Sequence, residues 1–318
     1  MLKNIYTKKF IVCAIALFTI MLIYVIPTNE EKLEVNEEIT YVNKEIETST
    51  IFLLDSNNYL ASAKIVTNSK TIEDKAKELL QALIIDSNKQ DNIPNGFKAL
   101  IPANTEILSL TYNDGVIKVD FSSELMNTNI ENEEKIIEAI VYTLTSIDDV
   151  NYVIIYMNGE ILTRLPQSKI TLPSTLDRSF GINKEFNLNS TKNITQTTIY
   201  YISEFNDNEY YVTVTKVTND DRSKIEIIVD ELSSNNVYKT NLMSYLNSNT
   251  ELLSVTELEE ELVVNFNSAI FNDINTSEIL EEVIYTISMS INDNYDVNTV
   301  VFNVEDEEIC KKTLKSIE

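Results

Sequence analysis

One pattern occurs twice in this chain, 145 residues apart, and it constrains the fold more than any other feature. The first copy reads Thr105-Glu-Ile-Leu-Ser-Leu, then Val116-Ile-Lys-Val-Asp-Phe-Ser-Ser123. The second reads Thr250-Glu-Leu-Leu-Ser-Val, then Glu261-Leu-Val-Val-Asn-Phe-Asn-Ser268. No gap is needed between them. Each is followed by a helical segment holding Val/Ile-Tyr-Thr-Leu/Ile, at Val141–Leu144 and Ile284–Ile287. Such a repeat is one packing unit used twice, which points to a scaffold or adaptor before a catalyst.

A chain of 318 residues accommodates two domains of ordinary size, and 43% hydrophobic content gives each a core. Four glycines exclude a Gly-rich phosphate loop. The net charge is −25; the first 28 residues carry Lys3, Lys8 and Lys9 and no acid, so the rest carries −28. That surface repels phosphate backbones and anionic headgroups, which excludes nucleic acid and favours basic proteins or cations as neighbours. Histidine is absent, which removes the commonest general base near neutral pH and the commonest zinc ligand. Cys13 and Cys310 have no evident partner in the chain, so packing must hold the fold.

The N-terminus reads as a membrane signal. Phe10–Ile26 is 17 residues without a charge, preceded by lysines and followed by Glu30, Glu31 and Glu34. This predicts a cytoplasmic tail at 1–9, a transmembrane helix at 10–27 and everything after it outside the cytoplasm. The bulky Tyr24-Val-Ile-Pro27 offers no signal-peptidase site, so the anchor is expected to stay uncleaved. Residues 28–48 are acidic and polar, and read as a stalk extended by charge repulsion.

The first copy spans 49–165. Strands at 51–54 and 59–66 flank the turn Asp55–Asn58. Thr71, three residues before Asp74, opens a helix with Ala76, Leu79, Leu80 and Leu83 on one stripe. A loop with Pro94, Gly96 and Pro102 leads to strands at 106–111 and 116–121 around Asn113-Asp-Gly115, a strong hairpin signal. A helix at 131–147 and a strand at 152–157 follow. Residues 166–197 form a linker with scattered Leu172, Leu176, Phe180, Ile182 and Phe186. The second copy, 198–310, repeats the order, with a capping box expected from Asn275 and Glu278 for a helix at 276–291. A tail at 311–318 remains. The expected fold class is α+β: two tandem two-layer domains, each a small mixed sheet with two helices, behind the N-terminal transmembrane helix.

Candidate sites are weak by pattern. Asp120 and its counterpart Asn265 sit on outward strand faces; a catalytic carboxylate needs a partner and a cleft, and the second copy has only an amide. The acidic turns Glu257–Glu261 and Glu305–Glu308 lack calcium-loop spacing and read as solvated surface. Ser122, Ser123, Thr145 and Ser146 have no histidine or lysine to activate them. Tyr142 and Tyr285 read as matched helix positions that pack against a sheet. The pairs Tyr200-Tyr201 and Tyr210-Tyr211 could anchor a protein interface. No catalytic, cofactor-binding or metal residue is assigned, and no cofactor is expected.

With these residues in hand, each copy resembles the GerMN domain of sporulation and spore-germination proteins. The matching elements are Glu78–Leu80, Ile101–Ser109, Ile117–Ser122, Ile140–Thr145 and Val150–Glu160, and in the second copy Thr250–Ser254, Leu262–Phe266 and Val283–Ile287. The second copy lacks the proline and the asparagine-glycine ending. The resemblance implies domains similar to ring-building motifs. It also implies a non-enzymatic structural role outside the cytoplasm, in or beside the channel complex between mother cell and forespore, with effects on spore envelope formation and germination. Protein components of that complex, and self-association, are the implied contacts; the implied location is the mother-cell membrane facing the intermembrane space. Members of the family are lipoproteins, whereas Cys13 here follows almost no apolar segment and makes no lipobox. An envelope glycan- or peptidoglycan-binding module is the alternative, and a cell-wall enzyme a more distant one.

Overall fold

The computed structural model describes residues 3–25, 47–88, 92–234, 241–273, 275 and 277–314. The chain divides into two units between Glu45 and Ile46. The first unit holds one helix, α1 (Lys3–Val25). Here the expected transmembrane helix at 10–27 is corrected: among the described residues no helix is long and apolar enough to cross a membrane. The uncharged part of α1, Phe10–Val25, is 16 residues long. That gives about 24 Å of helix, against the about 30 Å of a hydrocarbon core. The single-pass anchor and the membrane-anchored location built on it are not retained. The expected stalk lies, up to residue 46, outside the described residues, as do residues 1–2 of the expected N-tail and 315–318 of the expected C-tail.

In the second unit the first copy runs β1 (Thr48–Leu54), β2 (Leu60–Val66), α2 (Ile72–Leu83), β3 (Ile107–Asn113), β4 (Val116–Phe121), α3 (Ile130–Leu144), β5 (Tyr152–Met157) and β6 (Glu160–Ile161). Local chemistry sets these bounds. The Asp55 carboxylate accepts the N–H groups of Asn57 and Tyr59, both at 2.8 Å, and fixes the first turn. The Thr71 hydroxyl accepts the Asp74 N–H and caps α2 as expected. Asp114 and Gly115 both take positive φ, the backbone of a two-residue hairpin loop. Strands β4 and β5 pair in parallel across α3, giving the mixed four-stranded sheet β3-β4-β5-β6.

The second copy continues with β8 (Thr195–Phe205), β9 (Asn208–Thr218), α4 (Lys224–Ser233), β10 (Leu252–Leu258), β11 (Glu261–Phe266), α5 (Glu281–Asn292), β12 (Thr299–Val304) and β13 (Glu307–Thr313). Its mixed sheet is β10-β11-β12-β13. Two small mixed sheets with helices are thus present in tandem. Two local readings change. The helix expected from residue 276 begins at Glu281, and its cap position, Leu280, has no side-chain bond. The Asn275 N–H turns back to Asp273 instead, within a bend closed by the bridge between Asp273 and Glu278. A full capping box does occur, at Ser223 and Glu226, where α4 starts.

The first hairpin of each copy leaves its own sheet. β1-β2 and β8-β9 join, with β7 (Glu185–Asn187), in one shared five-stranded sheet. One edge of β9 pairs with β8 over eleven residues. Its other edge meets β2 at Ala61 and Val212, and β7 at 216–218. The linker is therefore structure. Leu172, Leu176 and Ile182 are buried in the core of the first copy, and β7 supplies a strand; Phe186 stays exposed. Ala61, from the first copy, is buried in the core of the second.

Candidate functional site

The shared sheet places two hairpins, two helices and the linker around one junction. Its centre is Arg178, in a short 3-10 turn of the linker capped by Asp177. Its guanidinium donates to both oxygens of Asp293, at 3.0 and 3.1 Å, to the Tyr200 hydroxyl at 2.9 Å and to Ser146 Oγ at 2.9 Å. Its backbone carbonyl accepts the Tyr142 hydroxyl. Its charge lies 4.9 Å from the Tyr142 ring centre and 6.0 Å from that of Phe52. Asp293 is 1% exposed and the Arg178 side chain 22%, so the carboxylate of this ion pair is buried and its cation is shielded from most of the solvent. Burial opposes the charge of Arg178, but Asp293 and the tyrosines beside it hold the guanidinium above its ordinary value. Burial first, then the charge of Asp293, push the Tyr200 hydroxyl well up, so it remains a neutral donor. Tyr142 and Ser146 belong to the first copy and Tyr200 and Asp293 to the second; one linker side chain clamps them together.

Asn183 makes the second lock. Its φ is 48°, which asparagine tolerates better than most residues. Its amide oxygen accepts the Leu60 N–H at 2.9 Å, and its amide nitrogen donates to Leu60 O at 2.7 Å and Thr213 O at 2.8 Å. The side chain stands in for a peptide group where β2 and β9 diverge. The Asn183 N–H donates to Glu138, whose carboxylate is 3.7 Å from Lys184. Burial pushes Glu138 up to about 7, with Lys184 and the Asn183 N–H pulling the other way. A third lock is the Tyr210 hydroxyl donating to Asp55 at 2.8 Å, with Phe97 edge-on to the Tyr210 ring.

Beside this junction runs an open groove of about 1340 Å³. Residues of both copies line it, among them Asp148 and Asp149 after α3, Tyr211 on β9, and Glu281, Glu282 and Tyr285 on α5. Tyr211 and Tyr285 stack with ring centres 4.2 Å apart and tilted by 31°.

The residues singled out by sequence are scattered over this frame. The Asp120 carboxylate accepts the Gly159 N–H, and the Asn265 oxygen accepts the Asp306 N–H, so both tie a strand end to the next turn. The acidic turns tie individually to neighbours: Glu260 to Asn298, Glu261 to Lys311, Glu305 to the Ser268 N–H. Among the described residues no group of three or more His, Cys, Asp or Glu side chains could hold a metal ion. Ser122 bonds the Glu106 N–H, Thr145 bonds Val141 O, and Ser146 serves the Arg178 clamp. Tyr142 is fully buried, as expected. Its supposed match, Tyr285, is not its structural counterpart. Thr143 Oγ1 accepts the Phe52 N–H on β1, and the equivalent bond to Tyr200 N–H on β8 comes from Ser290. Aligning those bonds pairs Tyr142 with Met289 and Tyr285 with Glu138, one helical turn away. Of the tyrosine pairs, Tyr200 and Tyr201 are buried, Tyr210 is in the junction, and Tyr211 faces the groove. Sequence reading passed over Arg178, Asn183 and Asp293. The available signal was Arg178 itself, one of three arginines, set among the apolar residues of the linker.

Similarity to known proteins follows the same lines. The Germane family, described as sporulation and spore germination, matches residues 50–163 and 198–310. The chain is 29% identical over 259 residues to the spore germination protein GerM of Bacillus subtilis (strain 168), covering 80% of this chain and 70% of that protein. It is also similar to the solved structure of the tandem GerMN domains of GerM from Bacillus subtilis. The TM-score there is 0.74 at 27% identity, covering 82% of this chain and 92% of that one.

Proposed function

The chain belongs to the Germane family of sporulation and spore germination and is a non-enzymatic, GerM-like protein with tandem GerMN domains; from that premise we propose the role of its joined body. It acts outside the cytoplasm as a rigid interaction piece, in or supporting the channel complex between mother cell and forespore, and so affects spore envelope formation and germination. Its contacts are protein components of that complex and further copies of itself.

The observation that carries this reading is the shared sheet with its Arg178–Asp293 clamp. Two domains on a loose tether lose relative freedom when both engage a partner. Two domains joined by a shared sheet and an ion pair whose carboxylate is buried present a preorganised surface and avoid that cost. Among the residues singled out by sequence, Asp120, Ser122 and Thr145 hold backbone groups and Ser146 serves the clamp.

In-cell crosslinking during sporulation, with vegetative cells as control, tests the role. Recovery of the chain with itself and with channel-complex proteins only during sporulation is the expected outcome. Recovery mainly with vegetative wall enzymes or glycan would replace this role with envelope binding.

A further inference from the structure

The groove beside the junction has a lining that its structural surroundings do not account for. Five carboxylates line it: Asp148, Asp149, Glu281, Glu282 and Glu209, the last also accepting the Tyr245 hydroxyl. Its two cations are Arg178, already held by Asp293, and Lys64. Among the described residues Asp148, Asp149, Glu281 and Glu282 take part in no ion pair. Acids in the first turn of α5 are favourable to that helix by themselves. That reason explains Glu281 and Glu282, but not the half-buried Tyr211–Tyr285 stack beside them or the acids contributed by the other copy. Behind burial and Tyr285, the charges of Glu282, Glu209 and Glu281 also help push the Tyr211 hydroxyl up to about 12, so aromatic and carboxylate groups share one locality.

A guanidinium or ammonium gains from a tyrosine face and from a carboxylate at once. Anionic polymers are repelled by the same lining. At about 1340 Å³ and open to solvent, the groove exceeds the roughly 300–1,000 Å³ of a small-molecule site and suits a stretch of polypeptide. We propose that the groove receives an extended, arginine- or lysine-bearing segment of a partner protein. One basic side chain lies on the Tyr211–Tyr285 pair and is flanked by Glu209, Glu281 and Glu282. This inference rests on the interaction role above and adds the chemistry of the partner. Both copies build the groove, so an isolated copy would lack it.

A fluorescently labelled peptide of alternating arginine and serine, titrated into the full-length protein, tests the site, with glutamine replacing arginine in a control peptide. The arginine peptide should bind and the glutamine peptide should not. Combined Glu281→Gln and Glu282→Gln should weaken binding at least tenfold, and so should Tyr285→Leu. Glu257→Gln with Glu259→Gln, outside the lining, should change it less than twofold. Equal losses from both pairs of charge changes would mean diffuse attraction to an acidic surface and overturn the site. Melting curves check that Tyr285→Leu is folded; the charge pair decides the matter if it is not. Retention on purified cell wall lost in Tyr285→Leu, without peptide binding, would give the groove to a glycan instead. In sporulating cells, partner capture by both the wild type and the Glu281/Glu282 variant would overturn the groove and leave the interaction role standing. Capture by neither would overturn the role, with the peptide titration still deciding the groove.

Discussion

Asp120 in the first copy and Asn265 in the second differ in charge and do one job, accepting the N–H that closes the next turn. Tyr142 and Tyr285 are identical, sit in the same short motif, and do different jobs. The first is sealed under the clamp; the second lines an open groove. In a duplicated unit, what persists is the bond a position must make. A side chain's identity persists only if the backbone delivers it to the same place, and α5 delivers its tyrosine one turn early. The edges diverge likewise. α2 packs on both β1 and β3, whereas α4 packs on β8, and β10 leaves Leu253, Val255 and Leu258 exposed.

The comparison can be broken hardest at the joint. Arg178→Ala should cost about 3–5 kcal/mol in urea unfolding, because Asp293 stays buried without a counter-charge. Little change would mean that the copies are held by the sheet alone. Replacing both partners by apolar residues should recover much of that loss.

Glu138 and its counterpart Tyr285 should separate the copies by pH. A carboxyl held at about 7 in the fold and near 4.5 when unfolded binds its proton more tightly in the fold. Its contribution is full below about 4.5 and is lost as pH rises through about 7, a change of up to about 3 kcal/mol. Unfolding free energies from pH 5 to 8 should therefore fall more steeply in the wild type than in Glu138→Gln. Parallel curves would show that Lys184 keeps the carboxylate charged throughout.

Val119→Ala and Val264→Ala, both fully buried, should each cost roughly 1–3 kcal/mol. A large difference between them would show that one copy tolerates collapse of its core better. Asp120→Asn, which installs the residue of the second copy, should shift stability by less than about 0.5 kcal/mol. Asp120→Ala removes the acceptor and should cost about 1 kcal/mol.

The elements were readable where one local bond fixes them. Asn113-Asp-Gly115, the Thr71 cap and the alternation in Val116–Phe121 each carry their own geometry. The shared sheet was not readable, because the strand-forming residues of β1, β2, β8 and β9 do not say which edge meets which. The tyrosine motif misled for a related reason: two helices can share a motif and still be offset against their sheets. The clamp escaped because its members lie far apart in sequence; Arg178 and Asp293 are separated by 115 residues. The Asn275–Glu278 box had the right residues, but the chain used them to close a bend before the helix.

Asn183 gives the joint a chemical age. A side-chain amide that replaces a peptide group can hydrolyse, as a peptide group in a strand does not under the same conditions. Conversion to aspartate would remove both donated bonds, to Leu60 and Thr213, and place a second acid beside Glu138. A molecule altered there would carry a loosened seam between intact halves.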